Sequence, residues 1–148
     1  MPGQGLGPLQ KAIRQVSPTE RIVYIVDDDN AVRHSLEWLL AGDDFEIRTF
    51  ASAGEFLNAF DPRHPGCVVA DVRMPGMTGI ELQRELTARS IDLPVIIITG
   101  HSDRQMALKA KRAGAMEFLE KPLDDKVLMN LIHKALQRFE PANSENEA

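Results

Sequence analysis

Five polar residues, each placed just after a short apolar run, carry the chemistry this chain suggests. Asp27 and Asp28 follow Val23 to Val26, Asp71 follows Cys67 to Ala70, Thr99 follows Val95 to Ile98, and Lys121 follows Phe118, Leu119 and Glu120. Moving a phosphoryl group onto a carboxylate needs a nucleophile, a divalent cation for the phosphoryl oxygens, and a positioned donor and ammonium for the remaining charge. Asp71 can be the nucleophile, forming an aspartyl phosphate. Asp27 and Asp28 can hold Mg²⁺, which takes one or two carboxylates and keeps waters. Thr99 offers a hydroxyl, with Gly100 beside it adding no side chain to block approach. Three neighbouring carboxylates repel one another, so the metal and Lys121 supply the compensating charge.

The elements that must position these residues are strands and helices in alternation. An apolar run of about four residues bounded by turn signals reads as a strand buried on both faces, as in parallel sheets covered by helices. Such patterns alternate with helical ones five times between residues 21 and 139, which implies repeated βα units. In sheets of this kind the site lies outside the carboxyl ends of the strands, where distant residues converge.

The helix signals are local. Asn30 opens a first helix with an apolar face of Val32, Leu36, Leu39 and Leu40, closed by Gly42. Phe45, Ile47 and Thr49 alternate as a second strand, and Ser52 with Glu55 has capping-box spacing for a second helix carrying Phe56, Leu57 and Phe60. Thr78 caps a third helix running to about Ser90. Ser102 and Gln105 repeat the capping-box spacing for a fourth, which Gly114 stops. The fifth strand reads as Ala115 to Leu119. Asp124 caps a final helix whose apolar face is Val127, Leu128, Leu131, Ile132, Ala135, Leu136 and Phe139.

Residues 1–20 read as a flexible tail and 140–148 as a polar tail or linker. At 148 residues the chain suits one domain that buries roughly two thirds of its unfolded surface. The single cysteine, Cys67, sits in a Val-rich strand pattern and reads as a small hydrophobe. One cysteine forms no internal disulfide and no signal peptide is evident, which points to the cytoplasm. No stretch approaches the roughly 18 apolar residues of a membrane span. With 17 Lys and Arg against 22 Asp and Glu, the net charge of −5 gives no overall field for direct contact with nucleic acid. The histidines offer little: His34 and His133 fall in helical patterns and His64 beside prolines, while His101, two residues after Thr99, could tune dephosphorylation.

Val-Asp-Asp-Asp at 26–29, Asp-Val-Arg-Met-Pro-Gly-Met-Thr-Gly at 71–79, Ile-Thr-Gly-His at 98–101 and Phe-Leu-Glu-Lys-Pro at 118–122 resemble the receiver domain of bacterial two-component response regulators. The wording of the last two is similar to the FixJ-type transcriptional branch. The resemblance covers about residues 21–139. It implies a flavodoxin-like (CheY-like) doubly wound five-stranded parallel sheet of order 2-1-3-4-5 with five helices. It further implies that Asp71 is the phosphoacceptor, that Asp28 binds Mg²⁺ (or Mn²⁺) directly with Asp27 close by, and that the Arg73 backbone carbonyl is a third protein ligand. Thr99 and Lys121 would contact the phosphoryl group, Phe118 would be the switch aromatic, and Lys121–Pro122 would be cis. Asp29 receives no ligand role.

The module would then be a phosphoacceptor switch rather than an enzyme in the ordinary sense. It would be phosphorylated by a sensor histidine kinase and would change the face made by the fourth helix, fifth strand and fifth helix. The output would be control of transcription, through homodimerisation or a DNA-binding domain outside this sequence, or else protein contact by a stand-alone receiver. A haloacid-dehalogenase-type phosphohydrolase with Asp27 as nucleophile is the rival. Against it, Asn30 and Ala31 lack the expected Thr or Val, no acidic pair follows Lys121, and Asp71 has no task.

Overall fold

The computed structural model describes residues 21–42 and 44–139; the expected tails, 1–20 and 140–148, lie outside them. Five strands form one sheet in the order β2-β1-β3-β4-β5. They are β1 (Ile22–Val26), β2 (Glu46–Phe50), β3 (Cys67–Asp71), β4 (Val95–Thr99) and β5 (Glu117–Glu120). Every neighbouring pair is parallel. The connecting helices are α1 (Asn30–Leu40), α2 (Ala53–Ala59), α3 (Gly79–Ala88), α4 (Arg104–Arg112) and α5 (Asp125–Leu136). This is the expected doubly wound topology.

Apolar runs become strands here because both sheet faces are covered. Ile22, Tyr24 and Val26 of β1 and Val95 and Ile97 of β4 join α2, α3 and α4 in one core that includes Phe56, Leu82, Leu86 and Ala107. The alternate residues, Val23, Ile25, Ile96 and Ile98, join α1 and α5 through Leu36, Leu40, Leu128 and Ile132. Period-two alternation is thus present in space while both phases are hydrophobic in sequence. Each fully buried aliphatic side chain contributes roughly 1.5–3 kcal/mol relative to exposure, so the central strands are rigid supports for whatever follows them.

Several local details differ from the sequence reading. Asn30 opens α1 as expected, but the cap before it is Asp29, which accepts from the amides of Ala31 and Val32, and the C-terminal cap is Ala41, one residue ahead of Gly42. The α2 box is only half formed, because Ser52 accepts from the Glu55 amide while the Glu55 carboxylate takes the amide of Ala51. Conversely, Thr78 and Glu81 form a complete capping box on α3, which stops at Ala88. The Ser102–Gln105 box does not form. A 3₁₀ turn, His101–Asp103, precedes α4, and α4 has no side-chain cap bond. Strand β5 begins at Glu117 because the Ala115 amide is still committed to the carbonyl of Ala110 behind it. On α5 the Asp124 cap is present, but Val127 is exposed.

Gly66, just before β3, shows how tightly the sheet is closed. A Cβ there would stand 2.3 Å from the Ile22 carbonyl oxygen and 3.0 Å from its carbon. Both are backbone atoms of the neighbouring strand, so relief requires moving a strand. Gly66→Ala is expected to cost about 3 kcal/mol of stability, read as a lower denaturant midpoint. An unchanged midpoint would contradict this close approach.

Candidate phosphoacceptor and metal site

In the order β2-β1-β3-β4-β5 the chain reverses its winding direction between β1 and β3, and the crevice at their carboxyl ends is the topological switch point. Asp27 and Asp28 leave β1 there, and Asp71 ends β3. One carboxylate oxygen from each of the three lies within 4.8 Å of the others. Lys121 Nζ is 3.8 Å from Asp71 Oδ1. A gathering of three acids around one ammonium at a sheet edge suits a hard divalent cation with oxygen ligands.

The turn after β1 is braced from several directions. The Asp27 amide extends the ladder to β2 by donating to the Phe50 carbonyl at 3.1 Å. The Arg33 guanidinium, one turn into α1, donates to the Asp27 carbonyl at 2.6 Å and to Asn30 Oδ1 at 2.9 Å. Asp27 Oδ1 accepts from the Asp29 amide at 2.9 Å, and Asp29 itself is occupied in capping α1. Of three consecutive acids, one is buried with a 3 % exposed residue (Asp27), one faces solvent (Asp28) and one is structural (Asp29).

Electrostatics follow from this crowding. Burial, reinforced by the charges of Asp27 and Asp28, pushes the Asp71 carboxyl up to about 6, although Lys121 opposes the shift. Burial also raises Asp27, against the Asp29 amide and Lys121. Raised carboxylates gathered in one acidic cluster mark charge that a cation would relieve.

The structure places the other expected residues as follows. Thr99, fully buried, ends β4 beside β3, where Asp71 pairs with Ile98 in register. Its hydroxyl donates to the Gly100 carbonyl at 3.0 Å. Phe118 on β5 is half-buried and packs against the core on the α2–α4 face. The Lys121–Pro122 bond is cis, and the Lys121 amide donates to the Thr99 carbonyl at 2.8 Å, so Lys121 arrives from β5 in direct register with β4. Gly79 lets α3 start against the β3 end: a Cβ there would meet the Asp71 carbonyl oxygen at 3.1 Å and Val72 Cα at 3.0 Å.

Sequence reasoning missed two residues. Asp103 pairs with the Arg73 guanidinium in a two-pronged ion pair, which holds the Asp103 carboxyl below its usual range. Arg33 was invisible as the brace of the Asp27 carbonyl. The helical position of Arg33, one turn beyond the acids, is the signal that could have found it; Asp103 stands 30 residues from Arg73, and only the topology joins them.

A family model, the response regulator receiver domain, matches residues 23–133. The chain belongs to this family. The chain is similar to the transcriptional regulatory protein FixJ of Bradyrhizobium diazoefficiens, with 44% identity over 84% of this chain and 60% of the relative. It is also similar to the response regulator protein TodT of Pseudomonas putida, with 40% identity over 90% and 59%. Among solved structures, full-length FixJ from B. japonicum superposes with a TM-score of 0.75 at 41% identity, covering 83% of this chain and 61% of that one. The receiver therefore spans about three fifths of the length of the curated relatives it matches. The haloacid-dehalogenase reading is not favoured, and receivers as a family are phosphoacceptor switches that bind Mg²⁺ at an acidic pocket. No helix among the described residues is long and apolar enough to cross a membrane.

Proposed function

We propose that Asp71 of this receiver accepts a phosphoryl group from a sensor histidine kinase. The observation that carries the reading is the convergence of Asp27, Asp28 and Asp71 within 4.8 Å, with Lys121 Nζ 3.8 Å from Asp71. An Asp71 carboxylate oxygen attacks phosphorus, the O–P bond forms as the N–P bond of the donor phosphohistidine breaks, and the imidazole departs with its electron pair. Lys121 balances charge on one phosphoryl oxygen. Thr99 exchanges its present acceptor, the Gly100 carbonyl, for another phosphoryl oxygen. Asp27 and Asp28, with Asp71 and the Arg73 carbonyl, would hold Mg²⁺ or Mn²⁺. When bound, that cation neutralises charge on the phosphoryl oxygens.

Withdrawal of the Thr99 hydroxyl toward the site biases the segment leading into α4, and Phe118 turns into the space vacated. The face formed by α4, β5 and α5 then changes and favours a homodimer. We place the protein in the cytoplasm, acting on transcription as the FixJ-like relatives do by name, through a part of the protein beyond this receiver rather than by contact of this module with nucleic acid.

Incubation with a small acyl phosphate and Mg²⁺ is expected to add one phosphoryl group to the intact mass, and chelation of the metal to prevent it. Sedimentation with a beryllofluoride mimic is expected to show stronger association than without it. A protein that takes up no phosphoryl group, or takes it up equally in chelator, would contradict the proposal.

A further inference from the structure

One contact at the rim of the site has no part in the chemistry above. Arg73 follows Asp71 by two residues on the β3–α3 loop, and Asp103 follows Thr99 by four at the entrance to α4. Arg73 Nε donates to Asp103 Oδ2 at 3.1 Å, and Arg73 Nη2 makes a second bond to Asp103 Oδ1. The same Nη2 lies 3.7 Å from Met106 Sδ on α4. Fork-to-carboxylate pairing of this kind fixes orientation as well as adding attraction. The two partners are unequally exposed, at 67% for the Arg73 side chain and 12% for that of Asp103. The acid is therefore held in place while the guanidinium reaches across to it.

Asp103 occupies the cap position of α4 but makes no cap bond. In α1, α2, α3 and α5 the residue at that position does accept an amide. The Asp103 backbone, at φ −109° and ψ 18°, lies at the end of the 3₁₀ turn and outside the extended geometry of those four caps, and its carboxylate is committed to Arg73. The contact joins the phosphoacceptor loop directly to the segment between Thr99 and α4.

We infer that the Arg73–Asp103 ion pair is a latch holding the segment from Thr99 to α4 in its resting arrangement, and that a phosphoryl group on Asp71 opens it by competing with Asp103 for the guanidinium. The inference rests on the phosphoacceptor reading of Asp71. A ligand shifts a two-state equilibrium only by its differential affinity for the states. Arg73 supplies a difference: it faces a carboxylate in one state and a doubly charged phosphoryl group in the other. The latch thereby couples charge on Asp71 to the very helix whose face is to change.

The test uses the full chain in Mg²⁺ with beryllofluoride as the probe, comparing wild type, Asp103→Asn and Arg73→Ala. Asparagine matches the shape of Asp103 but holds Arg73 only by a neutral bond. Without the probe, both variants are expected to exchange amide hydrogens of residues 100–106 several-fold faster than wild type, while the central strands stay protected. Asp103→Asn is expected to bind beryllofluoride about threefold to tenfold more tightly, because the competent state is more populated and Arg73 is free. Arg73→Ala, lacking the competing guanidinium, is expected to show no such gain. Unchanged exchange in both variants, or an Asp103→Asn affinity no higher than wild type, overturns the latch. Wild type that binds no beryllofluoride at all overturns the phosphoacceptor reading and the latch with it, whereas wild-type binding with indifferent variants overturns the latch alone.

Discussion

In metal-free buffer at pH 7.5, Asp71→Asn is expected to melt about 6–15 °C above wild type while losing all uptake of phosphate from a small acyl phosphate donor. The two effects have one cause. Burial and the neighbouring acids raise the Asp71 carboxyl from 3.8 to about 6, so the native state resists its ionisation. At about 1.4 kcal/mol for each pKa unit, keeping Asp71 ionised costs the fold roughly 2–3 kcal/mol at neutral pH. For a domain of this size each kcal/mol moves the melting temperature by about 3–5 °C. Asparagine matches the shape and removes the charge, but its amide is no nucleophile. A variant less stable than wild type would show that the acids are not strained, and a variant that still gains a phosphoryl group would place the acceptor elsewhere.

Divalent cation should invert the pH dependence of stability. Because the folded pKa of Asp71 is raised, its stabilising contribution is complete below about 3.8 and is lost as the pH rises through about 6. Asp27 shifts in the same direction, mainly through burial. The metal-free protein should therefore gain stability as the pH falls from 7.5 to 5.5, until other groups intervene. Millimolar Mg²⁺ binds the ionised cluster of the native state, and a concentration ten times its dissociation constant stabilises by about 1.4 kcal/mol, or about 5 °C. That gain should be large at pH 7.5, nearly absent at pH 5, and cut by more than half in Asp28→Ala, whose side chain faces solvent and so carries little packing. Thermal melts at three pH values with and without Mg²⁺ check this. An undiminished Mg²⁺ shift in Asp28→Ala would remove that residue from the metal set.

Much of this architecture was legible because its signals are local. The buried strands β1, β3 and β4 show as apolar runs with an abrupt polar stop, and each stop delivers a site residue: Asp27, Asp71 and Thr99. The Thr78 and Asp124 caps were equally readable, since a cap is decided by residues three apart. The Ser102–Gln105 box failed because the same spacing competes with a tertiary partner. The loop after Thr99 turns as a 3₁₀ segment, and Asp103 is drawn to Arg73. Asn30 opens α1 as read, while its cap is the third of the three successive acids that leave β1, the one in register with the first helical amides. Depth of burial is likewise not written in residue type. Nothing distinguishes Asp27 from Asp28 in the chain, yet one is buried by the ladder to β2 and the other faces water.

The measurement that bears most directly on the whole account is the location of the phosphoryl group. Wild-type protein, phosphorylated with a small acyl phosphate in Mg²⁺, can be reduced with borohydride to convert any aspartyl phosphate to homoserine, then digested and sequenced by mass spectrometry. Homoserine is expected at position 71 and at no other aspartate. Homoserine at 27 or 28 with position 71 unmodified would contradict it.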